Sequence, residues 1–272
     1  MHIRKPAVAG QFYPGDEEHL KEEVKSLITE DIKYEKAIAA ICPHAGYMYS
    51  GKVAGAVYSK LKKPDTFIII GPNHTGYGKE VAISGAKFWR TPLGDVEVDK
   101  ELGSILGKKH KLIKEDNLSH LYEHSLEVQI PFLQVKFKEA FKILPITIKE
   151  VDLGIYRELG KALAEAIKEY PKEILIIASN DMTHFKPDNI AREEDNQAIE
   201  AILKLDEGLL YQRVTKMNIT MCGTAPVCVT LKAAVELGAS SAELIDYKTS
   251  ADAADISKDY SSVVGYAGII IK

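Results

Sequence analysis

Ile174-Leu175-Ile176-Ile177-Ala178-Ser179-Asn180-Asp181-Met182-Thr183-His184 joins an unbroken apolar run to a polar loop that ends in histidine. Successive side chains of a strand point to opposite faces, so a strand that is apolar at every position must be covered on both sides. Helices packed on both faces of a parallel sheet are the usual cover. The same pattern occurs twice more. Residues 37–41 run into Cys42-Pro43-His44-Ala45-Gly46, and residues 66–70 into Gly71-Pro72-Asn73-His74-Thr75-Gly76. Between these runs lie stretches with helical periodicity, at 17–28, 51–61, 125–135 (with Pro131 inside or at its start), 153–169 (ended by Pro171), 190–205 and 225–237. Shorter or later strands are expected at 80–84 and 96–98 around a turn at Leu93-Gly94-Asp95, and at 141–146, 242–249 and 262–271. The pattern predicts an α/β fold: one domain, 1–272, with a central mixed, largely parallel sheet flanked by helices.

Composition supports an ordinary globular chain. Its 272 residues are 46% hydrophobic and 27% charged, with a formal net charge of −4. That balance argues against a nucleic-acid binder, whose surface would be basic. Three cysteines, an odd number, do not read as a secreted disulfide framework. No signal segment or membrane span is visible, so a cytoplasmic protein is expected.

In open α/β sheets, ligands collect at the carboxyl ends of the strands. If the three apolar strands are parallel neighbours, His44, His74, Asp181 and His184 meet in one crevice. A lone histidine is usually structural; three at equivalent strand ends are harder to read as scatter. Neutral imidazole binds zinc, iron, copper and nickel. His184, three residues after Asp181, serves in this reading as ligand, general base, or imidazole oriented by a carboxylate. Cys222 precedes Gly223-Thr224-Ala225-Pro226, a helix start, where a thiol can act as ligand or nucleophile. Cys42 and Cys228 read as core. His120 and His124 would share a helix face, or His124 would enter the crevice from a turn. Phe12, Tyr13, Tyr47 and Tyr49 are candidates for a pocket wall, against the plainer alternative of core packing. The run Ala191-Arg192-Glu193-Glu194-Asp195 reads as a solvated helix start. Gly46-Tyr47-Met48-Tyr49-Ser50-Gly51-Lys52 matches a phosphate-loop pattern, but Val53 stands where such a loop needs Ser or Thr, so nucleotide hydrolysis ranks low.

Taken in order, Pro6-Ala7-Val8-Ala9-Gly10-Gln11-Phe12-Tyr13-Pro14, Pro43-His44-Ala45-Gly46-Tyr47, Gly71-Pro72-Asn73-His74, Arg90-Thr91-Pro92-Leu93-Gly94, Glu123-His124-Ser125-Leu126-Glu127, Asp181-Met182-Thr183-His184 and Met221-Cys222-Gly223 resemble the Memo family (mediator of ErbB2-driven cell motility) over essentially the whole chain. The resemblance implies a fold similar to LigB-type class III extradiol dioxygenases. It also implies a pocket of His44, His74 and Cys222, with Asp181 and His184 beside them and His124 lining it. A dioxygenase uses two His and a carboxylate, so the cysteine makes ordinary ring cleavage unexpected and favours softer metals. The implied cofactor is a divalent or redox metal, iron or copper, with zinc as a further option. Eukaryotic members bind phosphotyrosine peptides near this pocket through a Trp that is Phe12 here. Prokaryotic members imply a link to a radical-SAM protein and an AMMECR-type protein. Two functions follow as expectations: a metal-dependent oxidoreductase of unknown substrate, with His184, Asp181 and His124 as its acid–base groups, or a non-catalytic module binding a peptide or small anionic ligand. Neither nucleic acid nor membrane is an expected partner.

Overall fold

A computed structural model describes residues 2–29, 36–253 and 258–272. In chain order its first elements are β1 (Ile3–Arg4), α1 (Glu17–Leu27), β2 (Ala39–Cys42), α2 (Tyr47–Lys60), β3 (Thr66–Pro72), β4 (Val81–Ile83), β5 (Phe88–Thr91), β6 (Gly94–Val98), α3 (Lys100–Gly107) and β7 (Ile113–Glu115). Then come α4 (Ile130–Lys136), β8 (Lys142–Ile148), α5 (Leu153–Glu169), β9 (Ile174–Ser179), β10 (His184–Lys186), α6 (Asp188–Leu203), α7 (Glu207–Met217), α8 (Thr224–Glu236), β11 (Ala242–Thr249) and β12 (Val263–Ile271).

The three apolar runs are central neighbours. The sheet runs β1-β5-β6-β8-β3-β9-β2-β12-β10, with β11 on β12 and β4 joining β7 to β8. Strands β8, β3, β9 and β2 are parallel, and β12 lies antiparallel to β2. The sheet is therefore mixed with a parallel centre, as the apolar runs require. Alternation sorts the side chains into two cores. Phe67, Ile69, Leu175 and Ile177 pack with α1, α2 and α4, whereas Ile68, Ile70, Ile176 and Ala178 pack with α3, α5 and α8. The pairs Cys42↔Ser179 and Ile70↔Ala178 bring the carboxyl ends of β2, β9 and β3 level. The loops that follow thus leave the sheet at one edge.

Several local expectations are corrected. Helix α2 begins at Tyr47, so most of the phosphate-loop match is already helical and cannot wrap a phosphate. Its glycines serve packing instead: a Cβ at Gly51 would lie 2.7 Å from Leu27 Cδ1, and one at Gly55 2.1 Å from the Leu27 carbonyl oxygen. The turn near Leu93 joins β6 to β5, not to the strand at 81–83, which pairs with β7 and β8. The expected helix at 125–135 is a 3₁₀ turn at Glu127–Gln129 followed by α4, with Pro131 in the first turn, where its missing N–H costs nothing. The run at 191–195 is only partly solvated. Asp195 is fully buried and accepts hydrogen bonds from Thr183 N (2.8 Å) and Tyr247 Oη (2.7 Å). No described helix is long and apolar enough to cross a membrane.

Candidate metal centre

His44 follows β2, His74 follows β3 and Cys222 precedes α8. One ligand atom of each lies within 4.8 Å of the other two. His44 is buried, Cys222 is half-buried and His74 is exposed, so the trio runs from the sheet edge to solvent. The loops are laced together by main-chain contacts. Asn180 N donates to the Cys42 carbonyl (2.9 Å), and Cys222 N to the Asp181 carbonyl (3.3 Å). Gly223 N donates to Asn180 Oδ1 (2.8 Å). A Cβ at Gly223 would sit 2.6 Å from that same oxygen, so the close approach of the Cys222 loop needs glycine.

Both histidines are tied through Nδ1. His44 Nδ1 lies 3.0 Å from Ser179 Oγ, and His44 Nε2 lies 3.2 Å from Cys222 Sγ. His74 Nδ1 donates to Glu123 Oε1 (2.9 Å), and the His74 amide to Glu123 Oε2 (2.6 Å). Glu123 is fully buried and also accepts from Ser125 N (2.9 Å). Burial pushes its carboxyl up, but the His74 hydrogen bond and charge and the Ser125 amide outweigh that and bring it down to about 2. His74, Glu123 and His124 also form a group able to hold a cation. With its lone pairs already committed three times, Glu123 acts as the orienter of His74. Burial holds the His44 imidazole well below its ordinary value, with His124, His74 and His184 adding to the effect. Burial likewise drives the Cys222 thiol well up, helped by the Asp181 charge.

His124 forms the near wall. Its ring stacks on His74 (centroids 4.6 Å apart, interplanar angle 19°), packs on Phe12 (4.8 Å) and stands edge-on to His44 (5.5 Å). His120 turns away into the core, with Nε2 donating to the Ala82 carbonyl (3.1 Å) and its ring against Trp89. The two histidines thus do not share a helix face, because Leu118–His120 is a 3₁₀ turn that ends before His124.

The other expected residues divide. Asp181 lies beside His44, accepting from the His44 amide (2.7 Å), with Oδ2 3.9 Å from His44 Nε2; burial raises its carboxyl. It does not orient His184. The His184 amide donates to Thr220 Oγ1 (2.7 Å) and its Nδ1 to the Thr220 carbonyl (2.9 Å), at the exposed rim. Tyr13 and Tyr47 are buried and do not line a wall. Tyr13 Oη donates to Glu127 Oε1 (2.5 Å), and Tyr47 Oη to the Val128 carbonyl (2.6 Å). Tyr49 is half-buried in the first turn of α2. Cys42 and Cys228 are core.

Glu123, Ser179 and Glu127 were not singled out from the sequence. Glu127 is fully buried and gathers Arg4, the amides of Ala7 (2.8 Å) and Val8 (3.1 Å), and Tyr13. Arg4 also donates from its Nη2 to the Glu123 carbonyl (2.6 Å) and from Nε to the His120 carbonyl (3.0 Å). The N-terminal segment that carries Phe12 is thereby clamped to the loop that carries Glu123 and His124.

Comparison with known proteins gives the family and the fold. A family profile described as "Memo-like protein" matches residues 4–270. A MEMO1 family protein of Methanosarcina barkeri is 45% identical over 271 residues, covering 99% of this chain and all of its own. One from Aquifex aeolicus is 42% identical over 271 residues, covering 99% of each chain. Among solved structures, an uncharacterized protein of Escherichia coli K12, JW3007, superposes with a TM-score of 0.57 at 16% identity, covering 86% of this chain and 100% of its own, a likeness of fold alone. With a family profile spanning nearly every residue and full-length relatives above two-fifths identity, the chain belongs to the Memo family.

Proposed function

We propose that the crevice is a mononuclear metal centre held by His44 Nε2, His74 Nε2 and Cys222 Sγ, and that it serves a metal-dependent oxidoreductase acting on a small molecule. The observation that carries this reading is the donor geometry. Three donors of two kinds lie within 4.8 Å of one another, and each imidazole has Nδ1 committed elsewhere. A tetrahedral site with metal–ligand distances of about 2.0–2.3 Å needs donors about 3.3–3.8 Å apart, so small movements of His74 would close it. Two imidazoles and a thiolate suit copper, iron or zinc, and three protein ligands leave a position for substrate.

When bound, such a metal supplies Lewis acidity and, for iron or copper, one-electron chemistry. The chain supplies the rest. Cys222 loses its proton on ligation, which burial otherwise retains. His124, stacked on His74 and edge-on to His44, would be the proton carrier of the crevice. Burial holds its imidazole down to about 4, so it is neutral at pH 7 and able to accept a proton. Phe12 packs against its ring. At the mouth, the Thr220 carbonyl can only accept, so His184 keeps its proton on Nδ1 and offers Nε2 as a base to an entering substrate. LigB-type ring cleavage uses two histidines and a carboxylate, whereas the resemblance offers two histidines and Cys222, so the proposed reaction class is oxidation without ring cleavage.

Reconstitution of the reduced protein with iron(II) or copper(I) under anaerobic conditions, followed by metal analysis, tests the reading. One metal per chain is expected, lost in His44→Ala and His74→Ala. A parent that binds none would leave a binding module on this scaffold, and the search would turn to peptides and anionic ligands.

A further inference from the structure

We infer that Ser179 acts as a positioning residue, fixing His44 in the Nδ1–H tautomer through a buried chain of hydrogen bonds whose proton count leaves no other arrangement. Tyr58 Oη donates to Gln129 Oε1 (2.8 Å). Gln129 Nε2 donates to the Pro43 carbonyl (2.9 Å) and to Ser179 Oγ (2.8 Å). Ser179 Oγ donates to the Ser125 carbonyl (2.6 Å) and lies 3.0 Å from His44 Nδ1. Gln129, Ser179, Tyr58 and the His44 ring are all buried, so water does not complete the pattern.

The assignment runs from the groups that have no choice. A carbonyl oxygen only accepts, so the amide nitrogen of Gln129 must face Pro43, which turns its oxygen to Tyr58. The second amide proton then goes to Ser179. Ser179 owns one proton, and the Ser125 carbonyl takes it. The hydroxyl has only a lone pair left for His44, so His44 Nδ1 must donate. A free histidine side chain in water prefers the proton on Nε2. The network therefore selects the less common form and directs the Nε2 lone pair at Cys222 Sγ, 3.2 Å away. The tautomer follows from the hydrogen bonds alone. Its consequence for ligation rests on the metal centre proposed above, since only an unprotonated Nε2 can bind a metal.

The test is nitrogen-15 NMR of the histidine rings in the full-length, reduced, metal-free chain, with the His44 signal assigned by its loss in His44→Gln. The parent is expected to carry the His44 proton on Nδ1. Ser179→Ala removes the acceptor and is expected to move the proton to Nε2, while Ser179→Thr keeps the hydroxyl and the Nδ1–H form. Gln129→Met strips polar contacts from the same network but leaves the Ser179 proton on Ser125. It is expected to lower stability and to keep both the tautomer and parent-like metal affinity. Chelator competition with copper(I) should show a 10- to 100-fold loss of affinity in Ser179→Ala, restored in Ser179→Thr. A parent protonated at Nε2, or a Ser179→Ala protein that keeps Nδ1–H, overturns the inference; the parent spectrum decides even if Ser179→Ala does not fold. A tautomer that switches as expected in a chain that binds no metal would leave this inference standing and remove the metal centre.

Discussion

Replacing Glu123 by glutamine probes the other histidine support, and its effect can be worked from three distances. Oε2 takes the His74 amide at 2.6 Å; Oε1 takes His74 Nδ1 and Ser125 N, both at 2.9 Å. Glutamine has one oxygen. If that oxygen sits at the Oε1 position, the NH₂ group faces the His74 amide and a main-chain donor is left unpaired. If it sits at Oε2, the NH₂ group faces Ser125 N and His74 Nδ1, and the imidazole must move its proton to Nε2. Charge-assisted hydrogen bonds are worth about 1.5–3 kcal/mol each, and a buried unpaired donor costs about 1–3 kcal/mol. Glu123→Gln should therefore lower the unfolding free energy of the metal-free protein by about 3 kcal/mol, read as a shifted urea midpoint at unchanged slope. Metal affinity, read by chelator competition, should fall 10- to 100-fold, or about 1.4–2.7 kcal/mol. A variant that loses this stability while binding metal as tightly as the parent would refute the claim that Glu123 acts on the centre through His74.

Three further outcomes follow from the packing. The folded chain holds His120 down to about 3, chiefly by burial, against about 6.5 when unfolded, so the unfolded state binds the extra proton first as pH falls. The stability this neutral histidine contributes is complete above pH 6.5 and is lost on acidification toward 3. At pH 5 the parent should have lost about 2 kcal/mol more than His120→Phe, by urea unfolding at each pH; equal losses would contradict the assignment. Arg4→Met leaves Glu127 buried without its cation and should cost about 3–5 kcal/mol, with faster amide exchange in residues 117–125; unchanged exchange there would break the proposed clamp. Gly55→Ala drives a methyl group into the Leu27 carbonyl and should destabilise by about 1–3 kcal/mol, whereas Gly107→Ala meets nothing within 4 Å and should be neutral or better by thermal melting.

The central sheet was legible because its strands are apolar at every position, and α5 because its apolar face and Pro171 bound it; the expected 153–169 is the span observed. The convergence of His44 and His74 followed from the same strands, while Cys222 joined them only through resemblance. What escaped had no local signature. Strand β1 is two residues long, and Arg4 within it is held by Glu127, 123 positions away. Helix α7 buries only Leu210, too little to leave a stripe. Strand β10 looks like loop in the sequence because its pairing comes from β12, at the far end of the chain. Asp195 sits among charges that suggest solvent, yet the loop at Thr183 and the ring of Tyr247 enclose it. Glu123 and Ser179 matter through counts of donors and acceptors, which only the assembled loops define.

X-ray absorption at the metal edge of the anaerobically reconstituted protein reads the claimed ligand set atom by atom. The account predicts one sulfur at about 2.3 Å and two nitrogens at about 2.0–2.1 Å, with the sulfur absent in Cys222→Ser. A parent shell of nitrogen and oxygen alone, or one identical in Cys222→Ser, would contradict a centre built on His44, His74 and Cys222.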